Sequence, residues 1–328
     1  MAYQQVGTPR IFCNVLEWGT LNGALEIDDL FRTLPVNPQI VSEEISVALA
    51  GSFPQMDGML INPAIFILGH KSASESSVLN IHGIAPTADF NVNYSTSAPD
   101  YDGWSLVSLS HTDTSNLKFK FTAPIEEGGS WSSQTAKEST VSSIILSNYY
   151  DMPHSPDLNL SLSYDYSGVK EITTRGGASL SNSFYSKPPS WGDLPAWQLA
   201  EAGDDFTNFT PLSRSGRRIW DLSFSYLDDG DVFGSNQHFG GMWEIQDASL
   251  YDDGDLNASN LLDKTILTDD NFYSQVIHKT NGGQLPFIFQ PNKDDNTNFA
   301  IAKIDSGFTF EQVANGVYNV KMTIREVW

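Results

Sequence analysis

The chain is poor in cysteine, in basic residues and in long apolar runs. Its one cysteine, Cys13, excludes an intramolecular disulfide and a thiolate-built metal site. Eighteen Lys and Arg stand against 40 Asp and Glu, a formal net charge of −22. Binding of nucleic-acid phosphates or anionic membranes depends on Lys and Arg displacing counterions, so specific nucleic-acid and membrane partners are not expected. Lining a passage along which DNA slides without adhering is compatible with this charge. No apolar run approaches the roughly 18 residues of a transmembrane helix. The opening residues MAYQQVGTPRIF lack the basic and apolar regions of a signal peptide. The expectation is synthesis in a cytoplasm and use without Sec export.

Catalytic signatures are also missing. None of the six histidines forms an H-E-x-x-H pair, no serine occupies a G-x-S-x-G elbow, and no Gly-rich loop opens a helix as a phosphate cradle does. His70, after a buried run, reads as an ordered turn residue rather than a ligand or base, and His154 in MPHSP reads as structural. The tetrad DDGD occurs at 228–231 and again at 252–255. Asp228, Asp229 and Asp231 are calcium candidates, but neither copy completes a twelve-residue loop closed by Glu, so solvated turns are expected. With 40 acids, carboxylate pairs arise by chance, and no pair stands out as a glycosidase dyad. No enzyme and no cofactor are expected.

What is present is a β-rich composition. Charged residues make up 18% of the chain and aromatics 12%, alongside abundant Ser, Thr, Asn and Gly, which suits short strands and many turns better than helical bundles. At 328 residues the chain has length for two domains, each with a buried core. Ile11–Leu16 carries an apolar run, and Ala64–Leu68 is a short continuous one, as a strand buried on both sides would be. Val78–Ile81, Trp104–Leu109, Leu117–Phe121 and Val141–Leu146 are further strands. The turn-rich YYDMPHSPD (149–157) suggests a boundary. The reading is mainly β, with two β-sandwich or barrel-like domains at 1–153 and 154–328, the second carrying one flanking α-helix near 268–279.

Beyond the boundary, Leu158, Leu160, Leu162, Tyr164 and Tyr166 alternate with polar residues, which predicts a strand with one buried face. Arg217–Leu227 predicts another, with Trp220, Leu222, Phe224 and Tyr226 on one side. Residues 173–197 read as an ordered loop, and 228–260 as acidic and irregular. Thr268 is a candidate N-cap, Lys279 falls in the last helical turn, and Asn281, Gly282 and Gly283 should end the helix. A strand at 285–289 and a closing β-hairpin follow. The expected core of this C-terminal part, and the framework that positions an interface, is Phe272, Val276, Phe287, Phe289, Ile324 and Trp328. Among the tryptophans, Trp104 and Trp131 are candidates for stacking on a sugar, although core or loop-anchor duty is the expectation for any single one.

The segments YYDMPHSPDLNLSLSYDYSGVKEITTRGG, SGRRIWDLSFSYL, LTDDNFYSQVIHKTNGGQLPFIFQP and YNVKMTIREVW resemble the structural tail proteins of tailed bacteriophages, of the distal-tail, minor-tail or baseplate type common in marine phages. AIFILGHKSASESSVLNIHG resembles the galactose-binding-like jelly rolls found in such proteins, over the first half. The resemblance implies a non-enzymatic virion structural protein, made in the host cytoplasm and built into the tail tip or baseplate. Its copies would form a homo-oligomeric ring around the tail lumen, joined to other tail or baseplate proteins and to host-recognition parts. A carbohydrate-binding module that recognises host surface glycans is the alternative.

Overall fold

A run of apolar residues without alternation needs cover on both faces, and the sheet that organises this protein provides it. The computed structural model describes residues 6–22, 29–34, 39–41, 43, 45–48, 61–70, 78–84, 94–95, 103–108, 116–122, 139–158, 161–165, 169–183, 190–191, 194–195, 216–233, 269–296 and 298–327. The described part is mainly β, with large antiparallel sheets and few helices. Nine strands form the main sheet: β1 (Arg10–Asn14), β2 (Pro63–His70), β3 (Gly103–Ser108), β4 (Ser143–Asp151), β5 (Ser161–Asp165), β6 (Arg217–Asp228), β7 (Phe287–Gln290), β8 (Ala300–Ala314) and β9 (Val317–Glu326). Their spatial order is β5-β6-β9-β8-β7-β1-β4-β2-β3. Residues 45–48, 116–122, 78–84 and 94–95 make a separate four-stranded sheet.

The middle strands alternate between two cores. Ile11 and Cys13 of β1, Phe287 and Phe289 of β7, and Ala300 and Ala302 of β8 join one cluster with Trp220, Phe272 and Ile324. Phe12, Ile288 and Ile301 of the same strands point to the other, with Phe66, Ile145 and Phe299. Period-2 geometry thus turns each continuous apolar run into two buried faces. Trp220 meets Phe289 edge-on at 5.0 Å in the first core, and Phe12 meets Phe66 at 4.8 Å and 87° in the second. Such edge contacts favour the ring quadrupoles beyond their burial.

The turn at 152–157 does not separate two sheets. β1 lies between β4 and β7, with Ile11 opposite both Tyr150 and Phe289. Strands from both sides of residue 153 are therefore hydrogen-bonded in one sheet. Asn14 ends β1 and caps the helix that follows, Val15–Leu21: its Oδ1 accepts from the amides of Leu16 at 3.1 Å and Glu17 at 3.3 Å. No described helix is long and apolar enough to cross a membrane.

Two strands differ from their sequence patterns. β5 is the outermost described strand at its end of the sheet, and only Leu162 leans on the core, while Tyr164 and the preceding Leu158 are exposed. Its alternation marks a strand truly, but an edge strand has little core to cover. In β6, Trp220, Leu222 and Phe224 are buried as expected, but the register against β9 shifts between Phe224 and Leu227. One extra residue in the strand reverses the faces, so Leu227 is buried and Tyr226 is thrown out to solvent at 80% exposure.

Candidate assembly surface

The helix expected near 268–279 is shorter and wider than an α-helix. Asn271 starts it, its Oδ1 accepting from the Ser274 amide at 2.9 Å, and residues Tyr273–His278 adopt π-helical turns. Thr268 lies outside the described residues. Asn281, Gly282 and Gly283 end it at φ values of 53°, 72° and 86°, and the Gly282 amide closes back to the Ile277 carbonyl at 2.8 Å. At Gly283 a Cβ would stand 2.7 Å from Ile304 Cβ, so both backbone conformation and space demand glycine there.

This helix is buried nearly all round. Phe272 and Val276 face the first core with Phe287, Phe289 and Ile324, so five of the six residues expected as framework lie in one buried cluster. Trp328 lies outside the described residues. Buried polar groups tie the other side down: Gln275 Oε1 accepts from Asn148 at 2.6 Å and from Lys279 Nζ at 3.0 Å, and Gln275 Nε2 donates to the Asp269 carbonyl at 2.6 Å. Trp18 Nε1 donates to the His278 carbonyl at 3.0 Å. Lys279, expected in the last helical turn, is 1% exposed. The sequence position was right for the last turn, but β1 and β4 close over it.

Burial pushes the Lys279 ammonium down to about 8, against opposing fields from Cys13 and Asp270. Burial likewise pushes the Cys13 thiol up to about 12 and raises Asp270 above the usual carboxylate range, with Asp151 adding to the effect. An unfolded lysine holds its proton up to about 10.5 whereas the folded one releases it above about 8. Between those values the unfolded chain binds more protons, so stability should climb with pH from about 8, by up to about 1.4 kcal/mol per unit. Above about pH 9 the retained proton on Cys13 works in the opposite direction and offsets the gain. Lys279→Met should abolish this rise, since Gln275 Oε1 keeps its bond from Asn148. Urea titrations at a series of pH values, wild type against variant, measure both slopes.

The remaining expected site residues divide plainly. Asp228, Asp229 and Asp231 form a helical turn running into Val232, where the Asp228 amide donates to Asp231 Oδ2 at 3.4 Å and Tyr318 engages Asp229. Tyr150 Oη donates to the Asp231 backbone carbonyl at 2.9 Å, so the turn is held to the sheet by structural bonds. No group of three or more His, Cys, Asp or Glu residues placed to hold a metal occurs among the described residues. His154 contacts the carbonyls of Ser155 at 2.7 Å and Ser225 at 3.1 Å, a structural role. Trp104 lies on β3 opposite Leu68, with its side chain outside the described set, and Trp131 is outside it altogether. On the outer side of β6, β9 and β8, Gly307 in the β8 bulge leaves an open depression of about 250 Å³ lined by Asp221, Ser223, Thr309, Lys321 and Thr323.

One surface feature falls partly within the ordered loop expected at 173–197. Val169–Thr173 and Ser179–Ser183 pair antiparallel as a hairpin of two strands that, among the described residues, joins no larger sheet. Its turn is closed by the Gly177 amide on the Thr174 carbonyl at 2.9 Å, and by the Ala178 amide on Thr174 Oγ1 at 3.1 Å. Ile172 and Leu180 sit directly opposite each other on this arm, 66% and 61% exposed. The signal was present as a Gly-Gly turn with Ile172 and Leu180 placed symmetrically about it, masked by the serines and threonines around them. No protein-family model, curated protein or solved structure matches this chain.

Proposed function

We propose that the chain is a non-enzymatic structural protein that works by assembling with copies of itself. In the terms of its sequence resemblance, it is a component of a phage tail tip or baseplate, forming a ring around the tail lumen that joins host-recognition parts to the rest of the tail. The observation that carries this reading is the Val169–Ser183 arm. A two-stranded hairpin is marginal in water by itself and gains stability when its apolar face is covered, yet Ile172 and Leu180 are open to solvent. Strand β5, outermost among the described strands at its end of the sheet, precedes the arm in sequence, so the end of the described sheet and the exposed hairpin lie in one stretch of chain. The buried polar groups described above serve the fold, which also favours assembly over catalysis.

Light scattering of the purified protein is expected to show a closed multiple of the 36.2 kDa chain, and labelled antibody should mark one end of the tail in virions. A monomer at every concentration tested, or turnover of a polysaccharide, overturns the reading.

A further inference from the structure

We infer that the arm of one copy docks on a specific acid-rimmed apolar patch of a second copy, built around Tyr226 and Leu158. The inference rests on the assembly reading and assigns its interface.

The patch is carried by an unusual backbone. Tyr226 is one of two described non-glycine residues with positive φ, at 63°, and it sits in the β6 bulge with its amide held by Asn319 Oδ1 at 3.2 Å. A tyrosine in this region costs conformational energy, and nothing in the core is gained by it, because the ring is 80% exposed. A bulge at this place re-aims a side chain outward. Leu158 is fully exposed close by: the Asp157 amide bonds the Ser223 carbonyl at 2.8 Å, and Ser225 Oγ bonds Asp157 Oδ2 at 2.7 Å. Leu158 and Tyr226 are thus the residues immediately following the two partners of one hydrogen bond. Asp157 and the exposed Asp228 border them.

The arm is the complement. Ile172 and Leu180 share one face of the arm, and the turn presents the exposed Arg175 at the tip. In a chain of net charge −22, an exposed apolar pair beside an exposed cation is the exception, and an apolar pair flanked by carboxylates is what it fits. Since arm and patch are different surfaces, the contact is heterologous, the kind whose repetition builds a ring when its rotation closes.

Two variants test this by complementation. The arm variant Ile172→Glu/Leu180→Glu and the patch variant Tyr226→Glu should each remain folded, because all three side chains are exposed, and each should be monomeric. Mixed together they should form a one-to-one dimer, joined by the intact arm of one and the intact patch of the other. Tyr226→Gly separates binding from folding: glycine relieves the positive φ, so the melting temperature should rise while association weakens roughly 30-fold, as on loss of an aromatic anchor. If the wild type assembles but these variants assemble equally well, the arm–patch contact is wrong and the assembly reading stands. If the wild type is monomeric throughout, both fail. If each variant alone dissociates but no mixed dimer forms, arm and patch do not meet between copies, and the inference is overturned.

Discussion

Glu326→Ala should lower the unfolding free energy by about 3–5 kcal/mol, read as a shift of the urea midpoint at unchanged slope. Arg218 and Glu326 are both buried, and the carboxylate meets the guanidinium through Nε–Oε2 and Nη2–Oε1, each at 2.9 Å. The same carboxylate accepts from the Arg218 backbone amide at 3.0 Å. Nη1 donates to Asn298 Oδ1 at 2.7 Å and Nη2 also to the Phe299 carbonyl at 2.5 Å, and the guanidinium lies 5.1 Å from the Trp220 ring centre. Glu326 takes two guanidinium donors and the Arg218 amide, and so removing it is severe: the arginine charge stays buried with its principal acceptor gone. Desolvating two charges is itself expensive, so the pair need not add net stability. The double variant Arg218→Met/Glu326→Leu should therefore recover most of the loss. A double variant as unstable as the single one would show that packing, not charge, dominates there.

Deleting residues 324–328 should abolish cooperative unfolding and assembly together. Ile324 is fully buried and faces Trp220 on β6 and Ile304 on β8, so the deletion strips β9 where it joins its two neighbours. Loss of a buried isoleucine costs about 2–5 kcal/mol, and loss of Glu326 adds the cost above. Their sum approaches the 5–15 kcal/mol that holds an ordinary domain together. Thermal melting by circular dichroism and sizing of the truncated chain check this. A truncated protein that melts cooperatively and assembles would show that the C-terminal hairpin is dispensable.

The central strands were legible because burial on both faces leaves an unmistakable apolar run, as in Ile11–Cys13, Ala64–Leu68 and Phe287–Phe289. The same sequences carried no information about who pairs with whom. Nothing local in Phe12 says that its strand lies beside residues 287–290, and so the turn at 152–157 read as a division between domains. Alternation at 158–166 was legible as a strand but not as an edge, because period 2 is the same whether or not a neighbour covers the face. The Tyr226 bulge was invisible for a related reason: counting by twos cannot detect one inserted residue, and only Leu227 in the core reveals it. Lys279 shows a third limit. A helix-end lysine ordinarily meets water, and only the packing of distant strands excludes water from this one. The expected framework residues were found as a core cluster, whereas the exposed candidates Ile172, Leu180 and Tyr226 were found only from the structure.

The pairing of β1 with β7 sets a timetable for synthesis. Arg10–Cys13 emerge from the ribosome early, but the strand they need on one side spans 287–290. For most of translation the sheet lacks its middle neighbour, and β1, paired with β4 on one side, waits with the edge that β7 will take uncovered. Closing contacts over so long a stretch of chain is slow, and exposed strand edges during the delay invite association with the wrong partner. Productive folding of this protein is therefore expected to follow release of the finished chain, with chaperone occupancy highest before residue 290 appears.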